Sequence, residues 1–390
     1  LFHGIRRVQP GEVLRIKRGR VEERITVPLE LSRPTVDNEE QALEQFDALF
    51  EAKIRTHLQS EVPYGAFLSG GIDSSSVVTE MAEVTKNLQT YTIGFEHISV
   101  ADERSTAENL AHKLGARHTS VEFGEEDFWR YLPQMCRAMD DLIADYAALP
   151  TLKLARCAQS DVKIILSGEG GDEILAGYGR YRRQSLLSKL LGRPFRGRGD
   201  AARFAHLFQQ PEHFAQFYKR EQPDRAYHQP GFTSLQDYQA RDIAEWLPND
   251  LLLKIDRCLM HYSIEGRVPL LDREMVRFAF SLADKLKIQG KKGKWLLKKW
   301  LHARHPELDV WAPKRGFTVP IQEWLEKKRE HLAPWLCSHP ALQTIIAKEA
   351  FAKWLEKPLG AKDAKLLFNF LCLAVWYDIH IEGLSGEWEW

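Results

Sequence analysis

Two glycine-rich runs carry the residue types most suited to chemistry. The first, Ser69-Gly70-Gly71-Ile72-Asp73-Ser74-Ser75, sets three hydroxyls and one carboxylate around two adjacent glycines. Glycine lets backbone amides converge on an anion, and a helix opening behind the loop adds partial positive charge. The run therefore suits a phosphate-bearing ligand. No Gly-Lys-Ser/Thr ending follows, which excludes a Walker-type loop. Asp73 would repel phosphate unless magnesium sits between them. A plain strand-to-helix turn capped by Asp or Ser explains Gly71 and Asp73, but not three serines around two glycines.

The second run is Leu166-Ser167-Gly168-Glu169-Gly170-Gly171-Asp172-Glu173. Its three carboxylates repel one another without a cation or a shared proton. The functional reading puts Asp172 on magnesium and makes Glu169 a positioned base or acid. The bland alternative, a solvated acidic turn, sits poorly with the apolar strand that feeds it.

Each run needs an element before it and one behind it. Asn38 to about Leu58 shows helical spacing in Leu43, Phe46, Leu49, Phe50, Ile54 and Leu58. Gly65–Leu68 reads as a buried strand entering the first loop, and Ser74–Val84 as the helix leaving it. Thr90–Ile93, His118–Val121 and Val162–Leu166 read as strands, the last being the strongest, and Glu103–Leu114 as a helix. This alternation predicts an α/β fold: a parallel twisted sheet with helices on both faces. Beyond Ile174 strand signals fade, so a mostly helical C-terminal region follows, with helices over Lys294–His302 and Lys362–Tyr377. Arg180–Arg198, basic and glycine-containing, reads as a surface loop. Residues 1–35 read as short strands broken by turns and too small to hold a core alone.

Composition narrows the classes. The 390 residues hold 54 basic and 54 acidic side chains, so the net charge is zero. No broad attraction to nucleic acid or an anionic membrane surface is expected. No apolar stretch approaches the roughly 20 residues of a membrane helix, and without a charged-then-apolar pattern at the start no signal peptide is expected. The 5 cysteines are scattered, with no Cys-x-x-Cys pair, which argues against structural zinc or a disulfide framework and for a cytoplasmic setting.

The first run resembles the signature Ser-Gly-Gly-x-Asp-Ser of the PP-loop ATP pyrophosphatases, which have an adenine nucleotide α-hydrolase-like fold. The second, with Gly177-Tyr178 beyond it, resembles the synthetase domain of class B asparagine synthetases. Further matches follow in order: Ile93-Gly94-Phe95; Asp140-Asp141 and Asp145, with Leu142 where the family has proline; Asp256-Arg257; Ser263 to Asp272; Lys294 and Lys298; and Pro313-Lys314-Arg315-Gly316-Phe317 with Pro320 and Trp324. The resemblance implies ATP and Mg2+ as cofactors. Leu68, Ser69, Gly70, Gly71, Asp73, Ser74, Ser75, Ile93, Ser167 and Gly168 would contact ATP or pyrophosphate, and Asp73 and Asp172 the metal. Glu169 would take a proton from an ammonia adduct, and Lys314 would stabilise the transferring phosphates. Asp141, Asp145, Glu265 and Arg267 would bind substrate or brace the site.

The implied reaction adenylates the side chain of aspartate, or another carboxylate, releases pyrophosphate, and transfers the acyl group to ammonia. Glu169 stands where β-lactam synthetases carry Tyr, which favours amide formation, although β-lactam or lasso-peptide cyclisation remains a family alternative. A degenerate nucleotide-binding module and a PP-loop RNA-modifying enzyme are the competing classes. The family's amino-terminal cysteine nucleophile and most of its glutaminase domain are absent. Residues 1–35 therefore read as the closing strands of a glutaminase-type domain plus linker, and 36–390 as the synthetase domain. A fragment, a partner glutaminase domain or subunit, or free ammonia would each account for this.

Overall fold

The computed structural model describes residues 2–95, 104–182, 201–212, 229–312, 319–385 and 388. Its centre is a five-stranded sheet: β3 (Tyr64–Phe67), β4 (Gln89–Phe95), β5 (Arg117–Phe123), β6 (Ile164–Leu166) and β7 (Glu265–Arg267), in the order β5-β4-β3-β6-β7. Every neighbouring pair in it is parallel. The chain runs outward from β3 to β5, then returns to lay β6 on the other side of β3. The order thus reverses between β3 and β6, and open α/β sheets bind ligands at the strand ends beside such a switch point. Both glycine loops leave from these two strands.

Alternating side chains divide the sheet into two buried faces. Ala66, Ile164 and Leu166 pack with α1 (Glu39–His57), α2 (Ile72–Val84) and α3 (Arg104–Lys113). Tyr91, Ile165 and the half-buried Phe67 pack with α5 (Ala148–Ala158) and the helix Leu252–Met260. Helix α1 shows why the sequence folds this way. The Asn38 side chain accepts from the Gln41 amide, and Glu39 and Glu40 occupy the first turn. Ala42, Phe46, Phe50 and Ile54 recur every four residues as its buried stripe, with the Phe46 and Phe50 rings stacked at 5.2 Å.

A second apolar body joins α4 (Glu125–Ala138) to the helices Ile321–Ser338, Lys348–Leu355 and Ala361–His380. Trp324 is its buried centre, 5.4 Å from Phe128 and 6.0 Å from Phe123. Residues near the start form a separate antiparallel hairpin, β1 (Glu12–Lys17) and β2 (Arg20–Thr26). Its turn residues Arg18 and Gly19 both have positive φ (50° and 75°), the conformation that matches strand twist in tight hairpins. Val13, Ile16, Val21 and Ile25 stay exposed on it.

The α/β reading with a helical C-terminal region is the architecture observed. Two details differ. β6, expected to be the strongest strand, is only 3 residues long. β7 carries no strand signal at all, because Glu265-Gly266-Arg267 is polar and its extended form is imposed by pairing with β6. Within the expected Arg180–Arg198 loop, Gly179–Arg182 forms a short helix, α7, and 183–198 lie outside the described residues. Among the described residues no helix is long and apolar enough to cross a membrane.

Candidate active site at the sheet switch point

The first loop is held open by its own hydroxyls. The Ser74 hydroxyl receives the Ser69 amide at 3.1 Å and shares a 3.0 Å hydrogen bond with the Ser69 hydroxyl. Ser69 Oγ also accepts from the Gly71 amide. Gly70 takes a positive φ of 74°, which a side chain would resist. Leu68 is buried at the strand end, its amide bonded to the Tyr91 carbonyl, and Ser75 is buried behind the loop. Helix α2 then starts at Ile72 with Gly71 as cap, so its first-turn amides have no intrahelical acceptor and point toward the loop.

The second loop packs directly against the first. A Cβ on Gly168 would lie 2.6 Å from the Ser74 nitrogen, and one on Gly171 would lie 2.4 Å from Asp73 Oδ1. Only glycine allows this approach. Gly170 turns the chain at φ 92° into the short helix α6 (Gly171–Ile174), which presents Asp172. Ser167 is buried, and its hydroxyl finds no hydrogen-bond partner among the described residues. A buried hydroxyl left in this way marks a place for a ligand to complete.

Asp73 and Asp172 converge on one cation, the Lys294 ammonium. The Lys294–Asp172 contact is 2.7 Å, and Lys294 also donates to Asp73. Burial works against the charge of Lys294, but the two carboxylates overcome it and hold its pKa well above the usual lysine range. Two carboxylates that already share a cation fit magnesium, which takes one or two carboxylates and completes its shell with phosphate oxygens and water. Among the described residues no group of three or more His, Cys, Asp or Glu side chains could hold a metal without such help.

A second buried pair flanks the acidic loop. Lys254 donates to Asp145 at 2.9 Å, and Asp145 also accepts from the Ala147 amide. Burial opposes the Lys254 charge, but Asp145 and Glu169 raise its pKa above the ordinary range. Burial in turn raises the pKa of Glu169; Lys254 opposes this rise, while Asp172, Asp145 and Asp73 add to it. Glu169 is half-buried and lies within the field of both pairs. Its neighbour Glu173 is buried, accepts from the Tyr178 hydroxyl at 2.6 Å, and is pushed by burial up to about 7.

The remaining expected residues divide. Ile93 is a half-buried residue of β4 that packs into both apolar clusters beside the sheet. Asp141 is not brought to the loops: it pairs with Arg7 at 2.7 Å and lines a cavity of about 420 Å3 with Ile143, Asn249, Leu253 and Arg257. Glu265 is exposed. Arg267 turns back to Glu265 at 2.8 Å and donates to the His57 and Gln59 carbonyls, bracing the end of α1. Lys314 lies outside the described residues.

Sequence reasoning placed Lys294 in a lysine-rich helix without giving it a role, and passed over Lys254. The signal for Lys254 was available. It stands four residues before the buried Cys258 and seven after the buried Leu247, on the apolar stripe of its segment. A lysine there is buried and needs a partner.

The asparagine synthase family model matches residues 45–378. Asparagine synthetase [glutamine-hydrolyzing] 1 of Bacillus subtilis is 30% identical over 375 residues, covering 86% of this chain and 59% of that protein. A Mycobacterium tuberculosis protein named as an asparagine synthetase of the same glutamine-hydrolysing kind is 30% identical over 427 residues, covering 98% of this chain and 65% of its own length. The chain thus spans roughly three-fifths of these curated relatives. Among solved structures, NMN synthetase from Francisella tularensis aligns over 72% of this chain and 99% of that one at 12% identity, with a TM-score of 0.27, an overlap too slight to bear on the fold. The family match, spanning the sheet and both glycine loops, establishes that this chain belongs to the asparagine synthase family.

Proposed function

We propose that the chain adenylates a carboxylate with ATP, the side chain of aspartate being the first candidate, and transfers the acyl group to ammonia. The observation that carries this reading is the convergence of Asp73 and Asp172, from loops on either side of the switch point, on one cation beside a serine-lined glycine cradle. Family membership supports it.

In the first step a carboxylate oxygen attacks the α-phosphorus, and the bond to the bridging oxygen breaks to release pyrophosphate. The first-turn amides of α2 and the hydroxyls of Ser69, Ser74 and Ser167 would bind the leaving pyrophosphate. The α2 amides are fixed by the helix, so they need little reorganisation as charge develops, while the Ser69 and Ser74 hydroxyls would turn from one another to the ligand. Asp73 and Asp172 would hold magnesium, which when bound neutralises phosphate charge during displacement. Lys314 would add a positive charge there. Ile93, two residues before the end of β4, would form an apolar wall for the nucleotide.

In the second step ammonia attacks the acyl carbon, the adduct loses a proton, and the carbon–oxygen bond to AMP breaks. Glu169 would accept that proton, and Lys254 would stabilise its carboxylate form. Ammonia would come from a glutaminase domain or subunit, or from solution. The test is to supply ATP, magnesium, aspartate and ammonium. Equimolar asparagine, AMP and pyrophosphate are expected; ADP with free phosphate would overturn the proposal.

A further inference from the structure

The carboxylates proposed to hold the metal already share a lysine that the fold has fixed in place. Lys294 takes a left-handed backbone with φ 54°, and its amide donates to the Leu175 carbonyl at 3.0 Å. Such a conformation is costly for a side-chain-bearing residue and persists where surrounding structure imposes it. Two glycines allow the close packing around it. A Cβ on Gly293 would stand 2.3 Å from the Ala176 carbonyl oxygen. One on Gly177 would stand 1.8 Å from Asp172 Oδ1 and 2.3 Å from Lys294 Cε. The turn at 175–177 and the segment 293–294 are therefore interlocked, and they drive the Lys294 side chain, 6% exposed, between the two carboxylates.

We propose that Lys294 makes metal binding at Asp73 and Asp172 conditional on nucleotide, its ammonium serving as a built-in counter-cation released only to a metal–polyphosphate complex. This rests on the reading of the site as a magnesium–nucleotide site. The ion pairs support it: the Lys294 ammonium already compensates charge at both carboxylates. A bare divalent ion must evict the ammonium into a buried setting or sit beside it, and either is unfavourable. Polyphosphate supplies anionic oxygens to receive the ammonium while adding ligands to the metal. The arrangement keeps Asp73 and Asp172 together in the absence of metal without exposing two uncompensated charges to each other.

The test is titration of the full chain with Mn2+, followed by electron paramagnetic resonance, without nucleotide and with a non-hydrolysable α,β-methylene ATP analogue. Without nucleotide, the wild-type chain is expected to take up no stoichiometric Mn2+. Lys294→Met is expected to gain a site at least about tenfold tighter, and Lys294→Arg to behave as wild type. With the analogue, wild type should bind one Mn2+ per chain. Equal Mn2+ affinity of wild type and Lys294→Met without nucleotide overturns the role of the lysine alone. Absence of Mn2+–analogue binding by both overturns the nucleotide reading beneath it. If Lys294→Met does not fold, Lys294→Gln, which keeps a donor, replaces it. Stoichiometric Mn2+ uptake by wild type without nucleotide overturns the proposal whatever the variants do.

Discussion

Gly168→Ala tests whether contact between the two loops builds the site. The added methyl would lie 2.6 Å from the Ser74 nitrogen, 2.7 Å from the Asp73 carbonyl carbon and 2.8 Å from Asp73 Cβ. All three atoms belong to the backbone or to the first side-chain carbon, so no rotamer change relieves the clash. Carbon contacts settle near about 3.5–4.0 Å, so the loops must part by about 1 Å. Overpacking of this kind costs about 1–3 kcal/mol. The separation also carries Asp73 away from Asp172, and a misplacement of about 1 Å costs about 100-fold in rate. Urea unfolding reads the first effect and pyrophosphate–ATP exchange the second. Gly179→Ala is the control. Its Cβ meets only Arg182 Nη2 at 3.6 Å, so stability should change by less than about 0.5 kcal/mol and exchange should persist. Wild-type exchange and stability in Gly168→Ala would refute the argument that these loops need glycine to meet.

Three further perturbations address separate parts of the molecule. Asp145→Asn takes the hydrogen-bonded carboxylate from the buried Lys254 ammonium, leaving it Glu169 and Asp250, and should cost up to about 3 kcal/mol of stability by urea unfolding; an unchanged midpoint would show that the pair contributes nothing. Glu169→Gln should retain pyrophosphate exchange while losing amide formation from ammonium, and equal loss of both would remove its role as base. Lys287 is fully buried, donates to Gln239 at 3.1 Å, and is pushed by burial from 10.5 down to about 7. Between those values the unfolded chain holds the additional proton, so this lysine makes stability rise with pH, by up to about 1.4 kcal/mol per unit, with no further contribution below about 7. Lys287→Met should remove that slope in unfolding curves measured at several pH values, and identical slopes would contradict the assignment.

Elements with strong local signals were legible in the sequence. Helix α1 combines a cap, acidic first-turn residues and a four-residue apolar repeat, and it forms over Glu39–His57 as that pattern dictates. The two glycine loops were legible because glycine, serine and aspartate at such density have few other uses. β7 was not, since nothing in Glu265-Gly266-Arg267 favours extension until β6 lies beside it. Lys294 and Lys254 were harder still. Their partners Asp73, Asp172 and Asp145 are more than 100 residues away in the chain, and only the packed sheet brings them together. Asp141 and Arg267 show the converse. Both stand in segments that resemble a family motif, yet their side chains are committed to Arg7 and to the end of α1.

The central claim is that the paired loops at the β3–β6 switch point activate a carboxylate by adenylation. The most direct measurement is exchange of labelled pyrophosphate into ATP, with magnesium present and ammonium absent, across aspartate and other carboxylates. Exchange that depends on aspartate, or on one other carboxylate, and disappears in Asp73→Asn is the predicted result. No exchange with any carboxylate, in a chain that binds ATP, would contradict the account.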